Sequence, residues 1–210
     1  MASQIPEVVI FRLPVYLYIL NLLDEEKVEV VSSQEVGARL QMTPAQIRKD
    51  LSYFGKFGKQ GKGYNVKLLL SELRQIMGLD REWNMALIGV GRMGKAILDY
   101  SRITLRGFNY VAAFDIDPNM IGKKAGGLTI QDISELAETV KSRNIEICVL
   151  AVPPSQVQQA VDRLVECGVK AILNYAPVAT KAPKDVRIRK VDPQLALQTM
   201  AYHLQSLHSS

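Results

Sequence analysis

The chain has 210 residues, 48% hydrophobic and 22% charged, a globular composition long enough for one large domain or two small ones. No apolar run approaches the roughly 18–20 residues of a membrane helix and no basic-then-apolar signal opens the chain, so a cytoplasmic protein without membrane contact is expected. The net charge is +5, and residues 43–67 alone hold six Lys/Arg against one acid while the rest balances to zero, a concentration that points to a polyanionic partner.

The chain opens with Ile10, Leu13, Leu17, Leu20 and Leu23 at helical spacing. A Val-rich piece, Val28 to Val31, follows. Ser32 or Ser33 then caps a short helix with Val36 and Leu40 inward, and Glu35 stands at the capping-box distance from Ser32. Thr43 as N-cap and Pro44 at the first helical position start the next helix, with Ile47 and Leu51 inward. A short helix, a tight turn and a second helix form a helix-turn-helix, whose second helix enters the major groove N-terminus first. Gln46 and Arg48 sit near that terminus and are expected at base edges. Lys49 and Ser52 are better placed for phosphates, with Tyr53 beside them.

Beyond it, Gly55, Gly58, Gly61 and Gly63 punctuate a hairpin in which Lys56, Lys59 and Lys62 recur every three residues. Glycine allows a tight turn and lysine supplies backbone or minor-groove contacts. This is the layout of a wing, with Tyr64 and Val66 closing its return strand, although a merely basic surface loop would read alike. A helix from Leu68 to Met77, packing through Leu69, Leu73 and Ile76, ends at Gly78 before a domain boundary. The expected division is 1–80, 81–192 and 193–210.

"WNMALIGVGRMGKAILDYS" reads as strand, turn and helix, with Met85 to Ile88 buried. The run Gly89, Val90, Gly91, Arg92, Met93, Gly94 holds G-x-G-x-x-G between them. A second strand ends in Asp115, 21 residues after Gly94, with Ile116 next. This spacing suits a dinucleotide, its pyrophosphate on the helix N-terminus and its ribose hydroxyls on the acid, which would repel a 2′-phosphate. NAD(H) is therefore expected over NADP(H). "DISELAETVKSR" should be helical, "IEICVLAVP" a strand, "SQVQQAVDRLVECG" a helix, "KAILNYAP" a strand and "VRIRKVD" the last strand. Strands alternating with helices imply an α/β doubly wound parallel sheet with ligand at the strands' carboxyl ends. That makes Ala151, Val152, Pro153, Asn174, Tyr175, Ala176 and Pro177 candidates for the cofactor rim. Residues 193–207 form a helix with Leu197, Met200, Ala201, Leu204 and Leu207 on one stripe, able to pack on its own domain or on a partner chain.

Cys148 and Cys167 stand in apolar contexts at no metal-like spacing and are expected to be reduced core residues; no metal site is expected. The only histidines, His203 and His208, lie in the last eight residues, so no proton donor for hydride transfer is evident. A cofactor-sensing binding module fits better than an enzyme. The alternative is an NAD-linked oxidoreductase whose basic N-terminal domain binds RNA or a protein.

Taken together, "QIRKDLSYFGKFGKQGKGY", "GVGRMGKAI", "FDIDP", "AVP" and "ILNYAPV" resemble the Rex family of bacterial redox-sensing transcriptional repressors, over nearly the whole chain. The resemblance implies a homodimer of winged-helix and Rossmann-like domains, with the C-terminal helix exchanged into the partner subunit. It implies repression at palindromic operators in double-stranded DNA, release by NADH, and competition by NAD+. It also implies a redox switch through Tyr100 and Asp192, the latter contributed by the other subunit. Many relatives carry an arginine on the first helix where this chain has Tyr18, so a Tyr18–Asp192 hydrogen bond or a weaker NADH response would replace an ion-pair toggle.

Overall fold

Thirteen apolar side chains between Leu13 and Leu73 bury together, and helix α1 (Glu7–Glu25) supplies six of them. The computed structural model describes residues 5–55, 57, 63–104 and 107–208, which form two compact units divided between Arg81 and Glu82. In α1, Leu13, Tyr16, Leu17, Ile19, Leu20 and Leu23 face the core, whereas Ile10, expected on that stripe, is 45% exposed. The expected Leu13, Leu17, Leu20 and Leu23 are all buried, and Val9, Tyr16 and Ile19 widen that face in place of Ile10.

Strand β1 (Val30–Val31) precedes helix α2 (Ser33–Leu40). Ser32 and Glu35 close the capping box in both directions. Gln41 takes the left-handed conformation that stops α2, with φ 54°, and helix α3 (Pro44–Ser52) starts on the Thr43 hydroxyl, which accepts from Gln46 N. Strand β2 (Tyr64–Asn65) pairs antiparallel with β1. Val66 does not extend this strand as expected: the Asn65 side chain accepts from Leu68 N and starts helix α4 (Val66–Ile76) at once. Val66, Leu69 and Leu73 complete the core, while Ile76 remains partly exposed.

The second unit holds a seven-stranded sheet in the order β5-β6-β4-β3-β7-β8-β9. Its strands are β3 (Trp83–Ile88), β4 (Phe108–Asp115), β5 (Lys124–Ala125), β6 (Leu128–Asp132), β7 (Ile147–Leu150), β8 (Ala171–Asn174) and β9 (Arg187–Lys190). All neighbours run parallel except the β5–β6 hairpin. Apart from β5 this is the 3-2-1-4-5-6 order of a doubly wound dinucleotide fold. Alternate residues feed two cores. Ala86, Ile88, Phe114, Cys148, Leu150 and Ile172 meet helices α6 (Leu136–Ser142) and α7 (Val157–Glu166). Leu87, Ala113, Ile130 and Val149 meet helix α5 (Arg92–Thr104) through Leu98.

The segment expected to be helical from Asp132 is a strand end, a 3-10 turn and then α6. Asp132 caps that turn by accepting from Ser134 N, with Glu135 returning to the Asp132 backbone. Burial pushes the Cys148 thiol up to about 12, as suits an inert core thiol. Helix α8 (Pro193–His208) leaves Leu197, Met200, Leu204 and Leu207 each more than half exposed.

Candidate functional site: a dinucleotide cavity and a capped helix-turn-helix

At the carboxyl ends of β3, β4 and β7, where strand order reverses, lies a cavity of about 520 Å³. Such a reversal opens a crevice between loops that leave the sheet in opposite directions. Nine expected cofactor residues line it: Gly89, Gly91, Arg92, Met93, Asp115, Ile116, Ala151, Val152 and Pro153. The three glycines act differently. Gly89 has φ 91°, and a Cβ there would lie 2.8 Å from Ala151 O. At Gly94 a Cβ would fall 2.1 Å from Gly89 O, so only glycine lets α5 seat on its own turn. A Cβ on Gly91 would meet nothing within 4 Å and would project into open space, where a pyrophosphate needs the backbone bare.

Asp115 ties this turn to the next strand. Its Oδ2 accepts from Val90 N at 2.7 Å, and its Oδ1 from Ile116 N and Asp117 N at 2.8 and 3.0 Å. A carboxylate has about four acceptor positions, so one remains for a ribose hydroxyl. Val90 itself is buried and contributes through its backbone. Asn174 is also buried, at 1% exposure: its Oδ1 accepts from Ala176 N, and it shapes the turn after β8. Ala176 is buried with it, Tyr175 packs on the core and Pro177 is exposed; none of these four lines the cavity.

Ile88, expected only as a buried strand residue, and Asp117, Met120, Ile133 and Gln156, not anticipated from sequence, complete the lining. An adjoining apolar space of about 200 Å³ shares Ile88, Ile116, Ile133, Val152 and Gln156 with the cavity and extends to Leu136, Gln159 and Arg163. Of the unanticipated lining residues, Ile133 falls inside the segment from Asp132 expected to be wholly helical.

In the N-terminal unit, α3 presents Arg48, Lys49 and Ser52 outward, with Gln46 and Tyr53 half-buried. Arg48 Nη1 donates to Ser33 Oγ at 2.9 Å, and Ser52 Oγ donates to Lys49 O at 2.7 Å. Gly63, with φ 74°, sits where a Cβ would be 2.8 Å from Val31 O, and Tyr64 packs on the core. Lys56, Lys59 and Lys62 lie outside the described residues.

Asp50 was not anticipated as anything beyond the one acid of the basic segment. It is fully buried and accepts from Arg12 Nε at 2.5 Å, Arg12 Nη2 at 2.7 Å, Tyr16 Oη at 2.6 Å and Gln46 Nε2 at 2.7 Å. Burial alone would raise its pKa, but these hydrogen bonds outweigh it and hold the carboxyl below its ordinary value. Tyr16 is driven well above the usual phenol range by burial, aided by the same carboxylate.

Among known proteins, residues 80–178 match a family model described as a CoA binding domain, and residues 4–52 one described as a putative DNA-binding protein N-terminus. The redox-sensing transcriptional repressor Rex of Chloroflexus aurantiacus is 49% identical over 199 residues, 95% of this chain and 94% of that one. The chain belongs to the Rex family of redox-sensing transcriptional repressors. A crystal structure of the Rex-family repressor RSP with β-NAD+ and operator DNA matches at a TM-score of 0.90 and 37% identity, covering 98% of this chain and 95% of that one. RSP with β-NADH matches at 0.89 and 35%, covering 98% and 97%.

Of the three Rex switch candidates, Tyr18 is 63% and Tyr100 67% exposed. Asp192 pairs with Lys190 at 2.7 Å and accepts from Gln194 N at 3.0 Å; the Lys190 hydrogen bond is the main reason its carboxyl lies low. Arg12, the arginine nearest to Tyr18 on this Rex chain's first helix, is committed to Asp50.

Proposed function

We propose that this Rex-family chain represses transcription by binding a palindromic operator as a homodimer and lets go when NADH fills the cavity after β3. The observation that carries the reading is the cavity held open by Gly89, Asp115 and Gly94 in a chain whose other unit is a doubly capped helix-turn-helix. The pyrophosphate would lie across Gly91 at the start of α5, the adenosine ribose on Asp115, and the adenine in the apolar extension beside Ile116 and Leu136. An acid at that ribose favours NAD(H) over NADP(H).

Residues 1–80 would form the winged DNA-binding domain, with Gln46 and Arg48 at base edges. Lys49, Ser52 and Tyr53 would meet the backbone, together with the segment from Lys56 to Tyr64, Gly63 included. Residues 81–192 would hold NAD(H). The exposed apolar stripe of α8, within 193–210, would be covered by the partner subunit. NAD+ and NADH differ chiefly at the nicotinamide, which is cationic when oxidised and neutral when reduced, and a dry pocket at the dimer interface favours the neutral ring. Tyr100, with Asp192 of the partner subunit, would line it, and Tyr18 would stand where many relatives place an arginine. Like other bacterial repressors, the protein would act in the cytoplasm.

The test is a titration of duplex binding against NADH, NAD+ and NADPH at several salt concentrations. Binding to a palindromic duplex that weakens steeply with salt and is lost with NADH, but not with NADPH, is the expected result. Oxidation of NADH by a small substrate, with no selective duplex binding, would instead support an oxidoreductase.

A further inference from the structure

Gln46 is held by Asp50. Its Nε2 donates to Asp50 Oδ1 at 2.7 Å, and Asp50 is itself fixed by Arg12 and Tyr16 from α1. An amide free in solution can turn over and exchange its donor and acceptor ends. Here the buried carboxylate accepts only, so the amide nitrogen must face it. One N–H of Gln46 is spent, and what remains is Oε1 together with the second N–H, a paired acceptor and donor on one half-buried side chain in the first turn of α3. That pair complements the N6 donor and N7 acceptor of adenine in the major groove, and no other base edge there offers the same combination.

We infer that Asp50 is a positioning residue for sequence readout: it locks the amide of Gln46 so that this side chain selects adenine at one position of each operator half-site. This rests on the operator-binding reading and adds a base identity and a residue acting at one remove. Arg12 and Tyr16 serve the same end, because they keep Asp50 ionised and immobile while it is buried.

The experiment uses the full-length protein and a duplex selected from a randomised pool, then the set of symmetric single-base-pair changes to that duplex. Because a symmetric change removes one bidentate contact from each half-site, wild type should lose roughly a hundredfold at one A·T pair, about tenfold per half-site. It should lose affinity by a smaller factor when that adenine is replaced in both half-sites by 7-deazaadenine, which keeps N6 and lacks N7. Gln46→Ala should flatten discrimination at that pair and leave the other positions selective. Gln46→Glu, which only accepts, should shift preference there toward cytosine. Asp50→Asn, which can donate to Oε1 and turn the amide over, should lose adenine selection at the same pair while Gln46 is still present. Should Asp50→Asn fail to fold, Tyr16→Phe, which removes one of the hydrogen bonds that fix Asp50, should weaken adenine selection at that pair. Full adenine selection in a folded Asp50→Asn or in Tyr16→Phe would overturn the positioning role. Unchanged discrimination in Gln46→Ala would overturn the inference. Wild type showing no selection at any position would overturn the operator reading instead, so the two failures are distinct.

Discussion

Asp50 and Asp115 are carboxylates in tight networks, one in each unit of the chain. Asp50 is enclosed, and removing it would leave the Arg12 guanidinium without its counter-charge in a part-buried site. Losing one partner of such a pair costs about 3–5 kcal/mol. Because its folded pKa lies below the unfolded value of about 3.9, its stabilisation is complete above that value and fades as pH falls through the folded pKa. Circular dichroism of wild type against pH should therefore register loss of helix below about pH 4. In Asp50→Asn, helix content should be lower at neutral pH and less dependent on acid. Asp115 faces the cavity, and its substitution should show in ligand binding. Asp115→Ala frees Val90 N and removes the acceptor proposed for the ribose, so NADH affinity measured by calorimetry should fall at least tenfold. Discrimination against NADPH should narrow with it, since the repelling charge is gone.

Among elements, the glycine turn separates two kinds of constraint that the motif alone cannot distinguish. Gly91→Ala adds a methyl where the structure has space, so the chain should melt within a few degrees of wild type yet lose most of its NADH affinity. Gly94→Ala drives a Cβ into Gly89 O, so thermal melting should be lowered and binding lost together. Equal stability of the two variants would contradict this division. Much of the element order was legible because local chemistry marks it. Ser32 with Glu35, and Thr43 with Pro44, fix two helix starts, and the all-apolar runs at Leu87 and Val149 fix central strands. The β5–β6 hairpin was not legible, because Lys124–Ala125 and Leu128–Asp132 are too short for a periodic signal and the cap at Asp132 resembles a helix start. Asp50 escaped for a different reason: a charged residue beside Lys49 reads as solvated surface until the fold brings Arg12 to it from 38 residues away. Nor did sequence separate Asn174, which builds its own turn, from residues that face the cavity.

At the scale of the whole molecule, a helix-turn-helix and a nucleotide cavity in one chain make a sensor only if the two sites share a free energy. NADH must bind the DNA-incompetent arrangement more tightly than the competent one, and the coupling is then reciprocal. If NADH weakens operator binding by some factor, operator must weaken NADH binding by the same factor, typically 5- to 150-fold for coupling of about 1–3 kcal/mol. Both can be measured by fluorescence on one preparation: labelled duplex titrated at saturating and zero NADH, and NADH emission titrated at saturating and zero duplex. Asp192, now paired with Lys190, is where the two arrangements are expected to differ, with Tyr18 a neutral hydrogen-bonding partner in place of an arginine. Asp192→Ala should therefore shrink the coupling factor toward one, equally in both titrations. Tyr18→Arg should enlarge it, since an ion pair in one arrangement adds a charge-assisted bond that the phenol cannot supply. Equal coupling in wild type and both variants would mean that communication between the sites runs through other residues, even if NADH still released the DNA.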